Sequence, residues 1–186
     1  HYGRYWIYAE EVTIQSDPLR YLAGSEDTYW GVNSSIRDIL KETPSPSILE
    51  VGCGLGYLTF ALNKAGFQAT GIDISARAIE YAREHYGEMY IVEDVLKYAE
   101  SHPESYDLII LTEVIEHLNE VNEFIQRLVS MLRENGRLII TTPNKSLYKS
   151  RHPWYTELPH VHCWWFSEKS MQWLAAHLRL DFSLID

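Results

Sequence analysis

One stretch constrains this chain more than any other: SILEVGCGLGYLT, from Ser47 to Thr59. Ile48, Leu49 and Val51 read as a short buried strand, Gly52, Gly54 and Gly56 as the loop after it, and a helix begins near Leu58. An apolar run, a glycine turn and a helical start form the first half of a nucleotide-binding βαβ unit. Without a Cβ, the loop backbone can take positive φ and lie against a ligand. The free N–H groups of the next helix's first turn favour polar or negative ligand groups. The bland alternative is a plain tight strand-to-helix turn.

The spacing narrows the ligand. A dinucleotide fingerprint, G-x-G-x-x-G, would require glycine at position 57. Tyr57 stands there and the third glycine is Gly56, giving E-x-G-x-G-x-G from Glu50. Asp73 ends the next apolar run, 17 residues beyond Gly56. A carboxylate at that strand end can accept hydrogen bonds from ribose hydroxyls, although a capping or solvated Asp is the alternative. Glu50 lies inside the first strand. A buried charge needs a partner, either a ligand ammonium, a water or the backbone of the glycine loop.

Strands and helices alternate regularly from residue 47. Strands are expected at 48–51, 68–73, 89–92, 106–111 and 137–142, and a sixth at 180–185. Helices are expected at 58–64 and from the cap Ser75 to residue 84. Another follows through the stripe Val121, Phe124, Ile125, Leu128, Val129 and Leu132, closed by Gly136. Ser167 caps a last helix whose Met171, Leu174, Ala175 and Leu178 face inward. This order predicts an α/β fold, a three-layer doubly wound and mostly parallel sheet. At 186 residues, one main domain is expected at 47–186, behind an aromatic and helical cap segment at 1–46.

Net charge is −10, with no cluster of Lys and Arg, which disfavours nucleic acid as a partner. No apolar run approaches the roughly 20 residues of a membrane span. The two cysteines, Cys53 and Cys163, make no disulfide framework, and a reducing cytoplasm is expected. Cys53, between two loop glycines, suits a small apolar filler. His160 and His162 form an H-x-H pair beside Cys163, with His152 nearby. A metal site needs three or four converging ligands, and the sequence shows no convergence, so no metal is assigned.

Taken together, ILEVGCGLG, GIDIS (71–75) and LTEVIEHL (111–118) resemble, in order and spacing, the class I S-adenosylmethionine-dependent methyltransferases. The likeness is to the small-molecule branch that includes the ubiquinone-biosynthesis O-methyltransferase type, and it covers about residues 30–186. It implies a Rossmann-like fold and S-adenosyl-L-methionine as cofactor, released as S-adenosyl-L-homocysteine. It implies that Glu50, Gly52, Cys53, Gly54, Gly56, Tyr57 and Leu58 form the first wall of the cofactor site. Asp73 and Ile74 would meet the ribose and its surroundings, and Glu93, Asp94 and Val95 the adenine. Thr112, Glu113 and Val114 would pass under the methionine end. The family's seventh strand, antiparallel, has no counterpart here, which implies that the natural chain continues.

Methyl transfer from a sulfonium is an in-line displacement that needs alignment and, for some acceptors, removal of a proton. His117, Glu116, His160 and His162 are the candidates near the acceptor. His117 is either a base of near-neutral pKa or a residue that orders its loop. The resemblance implies a small-molecule acceptor, methylated at oxygen first and nitrogen second. Two rivals remain at this point: a nicotinamide-dependent oxidoreductase on the same fold, and a binding module without catalysis. The sequence is silent on oligomeric state.

Overall fold

The computed structural model describes residues 42–43, 45–147 and 162–184. The expected cap at 1–46 therefore lies almost wholly outside the described residues. Five strands form one sheet in the order β3-β2-β1-β4-β5, and every neighbouring pair is parallel. The strands are β1 (Ser47–Val51), β2 (Gln68–Asp73), β3 (Tyr90–Val92), β4 (Tyr106–Thr112) and β5 (Leu132–Thr141). The helices are α1 (Tyr57–Lys64), α2 (Ala76–Tyr86), α3 (Val95–Ser101), α4 (Val121–Met131) and α5 (Glu168–His177).

Alternate strand residues point to opposite faces, and both faces are covered. On one face Leu49, Val51, Ile109 and Leu111 pack with Ile125, Leu128 and Met131 of α4 and Leu174 of α5. On the other, Ile48, Leu108, Ile110 and Ile139 pack with Leu58 and Leu62 of α1. The chain leaves β1 toward β2 and β3, then returns across the sheet to β4. Their C-terminal ends thus flank a topological switch point, where open α/β sheets bind ligands.

Three elements differ from the sequence expectation. α3 was not expected; Asp94 caps it by accepting from Leu96 N–H at 2.8 Å, and Val95, Tyr98 and Ala99 form its buried face. α4 stops at Met131, five residues before Gly136, because Leu132 already pairs with Tyr106. The β4–β5 ladder then skips from Tyr106–Leu132 to Leu108–Arg137. The extra residues turn through Asn135, at φ 61°, and through Gly136, where a Cβ would lie 2.9 Å from the Arg133 carbonyl. Finally, residues 180–184 form no strand. Their alternation of Leu180, Phe182 and Leu184 suits a strand, yet the backbone does not join the ladder, and Phe182 and Leu184 are exposed.

Candidate cofactor and acceptor site

β1 leads directly into the glycine loop. Gly52, Gly54 and Gly56 all have positive φ, so the loop doubles back over the end of β2. Gly52 and Cys53 N–H groups both donate to the Ile72 carbonyl, at 2.9 and 3.2 Å. Gly52 also needs its bare Cα for packing, since a Cβ would stand 2.5 Å from Val114 Cγ2. The loop therefore touches both strand exits named in the sequence, GIDIS and LTEVIEHL.

Asp73 is the clasp. Its Oδ2 accepts from Gly54 N–H at 2.9 Å and its Oδ1 from Ser75 N–H at 2.8 Å. Burial raises its pKa, and the N–H donors of Ser75, Gly54 and Ile74 oppose that rise. A carboxylate has about four lone-pair positions, and with three N–H donors on it one acceptor position is left for a ribose hydroxyl. Sequence reasoning missed that the same side chain holds the loop in shape.

Glu50 finds its partner within the fold. Its Oε2 accepts from the Thr59 N–H at 2.8 Å and from the Thr59 hydroxyl. It thus fastens the first turn of α1, which has no side-chain cap at Gly56. Burial raises its pKa to about 7, against the lowering effect of both Thr59 bonds. This differs from the partners expected from sequence: Thr59 lies in α1, beyond the glycine loop, and supplies both its backbone N–H and its hydroxyl.

Several other expected cofactor residues turn inward. Cys53 packs with Ile79, Ala82 and Tyr90, as a filler would. Tyr57 packs with Leu55 and Ala78, and Leu58 with Ile48. Val95 is likewise buried, in the main core beside Ile72. The apolar side chains open on that rim are Ile74, 56% exposed, and Val92, 40% exposed. Val92 was missed from sequence, although it is the last apolar residue before the acids Glu93 and Asp94. Glu93 pairs with Lys97 at 3.3 Å, and Asp94 caps α3.

Across the switch point, the exit of β4 builds a second cluster. Thr112 ends the ladder opposite Thr141. Glu113 is held at φ 55°, a left-handed conformation, by its N–H bond to the Thr141 carbonyl and by the Thr141 hydroxyl on its Oε1. A turn of 3-10 helix, Ile115–His117, then buries Glu116 to 1% exposure. Glu116 Oε2 accepts from the Thr142 hydroxyl at 2.9 Å. Its Oε1 takes no hydrogen bond among the described residues and lies 3.8 Å from His117 Nε2. The chain before α5 crosses this turn, with Cys163 and Trp164 N–H groups on the Glu116 carbonyl. That crossing sets the buried His162 edge-on to His117, ring centroids 4.7 Å apart.

Ligand-type atoms of Glu116, His117 and His162 all lie within 4.8 Å of one another. The convergence absent from the sequence is therefore present, but it joins His162 to Glu116 and His117 instead of to Cys163, which is exposed. His152 and His160 lie outside the described residues. Burial is the largest cause raising the pKa of both Glu113 and Glu116, and the pair is close enough to interact directly. The buried Glu116, with two imidazoles beside it and the half-buried Glu113 close by, favours an added positive charge, either a shared proton or a cation. The carboxylate and imidazole donor set suits a divalent metal ion.

Comparison with known proteins agrees with this geometry. A family model described as a methyltransferase domain matches residues 31–182. The ubiquinone biosynthesis O-methyltransferase of Rickettsia akari is 38% identical over 103 residues, covering 53% of this chain and 41% of that protein. The protein of the same name from Actinobacillus pleuropneumoniae is 29% identical over 143 residues, 64% of this chain and 61% of its own. The chain thus spans about half the length of these relatives. A TehB-like SAM-dependent methyltransferase from Corynebacterium glutamicum shares the fold, with a TM-score of 0.63 at 20% identity over 96% of this chain and 84% of that one. The chain belongs to the methyltransferase domain family.

Proposed function

We propose that this protein methylates a hydroxyl oxygen of a small-molecule acceptor, held at the cluster of Glu113, Glu116, His117 and His162. The observation that carries this is the convergence of Glu116, His117 and His162 at the exit of β4, beside the glycine loop. The sulfonium carbon is already electrophilic, so alignment and removal of one proton are what the protein must supply. A hydroxyl is a poor nucleophile until that proton leaves, whereas a neutral amine needs no such help. Buried carboxylates and imidazoles next to the transfer site therefore suit an oxygen acceptor. A divalent cation bound by these residues would lower the acceptor hydroxyl's pKa. The names of the two relatives, both O-methyltransferases, support the same acceptor class.

In this reading Asp73 binds the ribose, Ile74 and Val92 flank the adenine, and Thr112 to Val114 pass under the methionine end. The acceptor lies on the side of His117 and His162, with His160 a further candidate. The net charge of −10 supports a small molecule over nucleic acid. No helix among the described residues is long and apolar enough to cross a membrane. The free thiols of Cys53 and Cys163 support a cytoplasmic setting.

Transfer of labelled methyl from S-adenosylmethionine to paired panels of phenols, catechols and amines tests the acceptor. Oxygen-linked products are expected, and turnover confined to amines would overturn the proposal. Glu116→Gln and His117→Ala should each lower kcat by roughly a hundredfold or more, with the cofactor Kd little changed. Removing divalent ions with a chelator and restoring them should switch turnover off and on. Turnover indifferent to chelation would leave acid–base chemistry alone at the cluster.

A further inference from the structure

Tyr90 is fully buried at the start of β3, yet its hydroxyl reaches across β2 to the glycine loop. It donates to the Gly56 carbonyl at 2.8 Å. Two glycines make that reach feasible. Gly71 is the β2 partner of Tyr90 in the ladder, and a Cβ there would stand 2.8 Å from Tyr90 Cδ1. A Cβ on Gly56 would stand 2.5 Å from Tyr90 Cε1 and 2.6 Å from Cζ. The ring thus lies across one bare position and under another.

The far end of Tyr90 is also fixed. Arg83 of α2 donates from both Nε and Nη2 to the Tyr90 carbonyl, at 3.1 and 2.7 Å. Gly56 is the N-cap residue of α1, at φ 82°, and no side chain caps that helix. Its carbonyl has two partners, the Phe60 N–H inside the helix and the Tyr90 hydroxyl from outside. Only the second constrains how the loop sits relative to the sheet.

We infer that Tyr90 is a positioning residue for the cofactor: its buried hydroxyl sets the height and tilt of the Gly54–Gly56 turn. A run of contacts from Arg83 through Tyr90 to Gly56 holds the loop in its binding shape before the ligand arrives. Such preorganisation appears in affinity, because a loop already in place pays less ordering cost on binding. The inference rests on the glycine loop carrying the cofactor.

Tyr90→Phe keeps the ring and removes the hydroxyl. Its Kd for S-adenosylmethionine should rise roughly three- to tenfold, the worth of one neutral hydrogen bond. At saturating cofactor, kcat should stay within about twofold of the parent, since the acceptor cluster is untouched. Tyr106→Phe is the control: it removes another buried tyrosine hydroxyl, which meets Tyr98 at 2.6 Å away from the loop. It should lower Tm without moving Kd. An unchanged Kd in Tyr90→Phe, or an equal rise in Tyr106→Phe, overturns the inference. Amide exchange in the cofactor-free protein gives an independent reading. Gly56 and Phe60 should exchange faster in Tyr90→Phe and not in Tyr106→Phe; equal protection in all three proteins overturns the positioning role. If the parent protein bound no S-adenosylmethionine, the cofactor assignment would fall, and exchange would still decide what Tyr90 does.

Discussion

Glu50 shows how one side chain couples the fold to pH. It is wholly enclosed between β1 and α1, and burial outweighs its two Thr59 bonds, placing its pKa near 7 instead of the ordinary 4.5. The folded state therefore keeps a proton that the unfolded chain has lost between about pH 4.5 and 7. Below that window both states are protonated and the benefit is complete. As pH rises through it, stability falls, by about 3 kcal/mol in total for this group. Glu113, Glu116 and Asp73, also raised by burial, add slopes of the same sign. Glu50→Gln keeps an oxygen to accept from Thr59 and removes the titration. Denaturant melts from pH 5 to 8 should then show a shallower decline than the parent, and a decline in the variant as steep as the parent's would refute this account. The residue type was legible in E-x-G-x-G-x-G. Its partner was not, because Thr59 acquires meaning only when α1 folds back over β1.

At the scale of elements, α3 marks where sequence reading fell short. It has seven residues, fewer than periodicity can establish, and its cap was an acid already given another role. Two longer helices, α2 and α5, were legible because both cap and stripe were present, and α4 from its stripe alone. Ser75 and Ser167 do cap α2 and α5, and Ile79, Ala82, Leu174 and Ala175 are buried as their spacing required. The 180–185 run misled because alternation states which face is apolar and says nothing about an available neighbour. Asp94 and Asp73 now separate by experiment. Asp94→Ala should cost about 1 kcal/mol of stability through the lost cap, with little change in cofactor Kd. Asp73→Ala should raise that Kd at least tenfold, since each charge-assisted bond is worth roughly 1.5–3 kcal/mol. Calorimetry on both variants checks the pair; a large Kd effect in Asp94→Ala would return that carboxylate to the adenine.

For the whole molecule, the candidate site is assembled from four separate strand exits that lie far apart in sequence. The meeting of the glycine loop with Asp73 was legible, because β1, the loop and Asp73 lie within one βαβ unit. The meeting of His162 with Glu116 and His117 was not, because it arises only where 162–164 crosses back onto the 3-10 turn. This construction has a thermodynamic consequence. A ligand that bridges the glycine loop, Asp73 and the exit of β4 ties together β1, β2 and β4, the centre of the sheet. It therefore binds only the folded chain, and at a hundred times its Kd it should add about 2.7 kcal/mol of stability. For a chain of this size that raises Tm by roughly 5–10 °C. NAD should add nothing, because Tyr57 occupies the place of the third dinucleotide glycine. Thermal melts with each ligand decide between them, and a shift with NAD equal to that with S-adenosylmethionine would mean that the glycine spacing does not select the ligand.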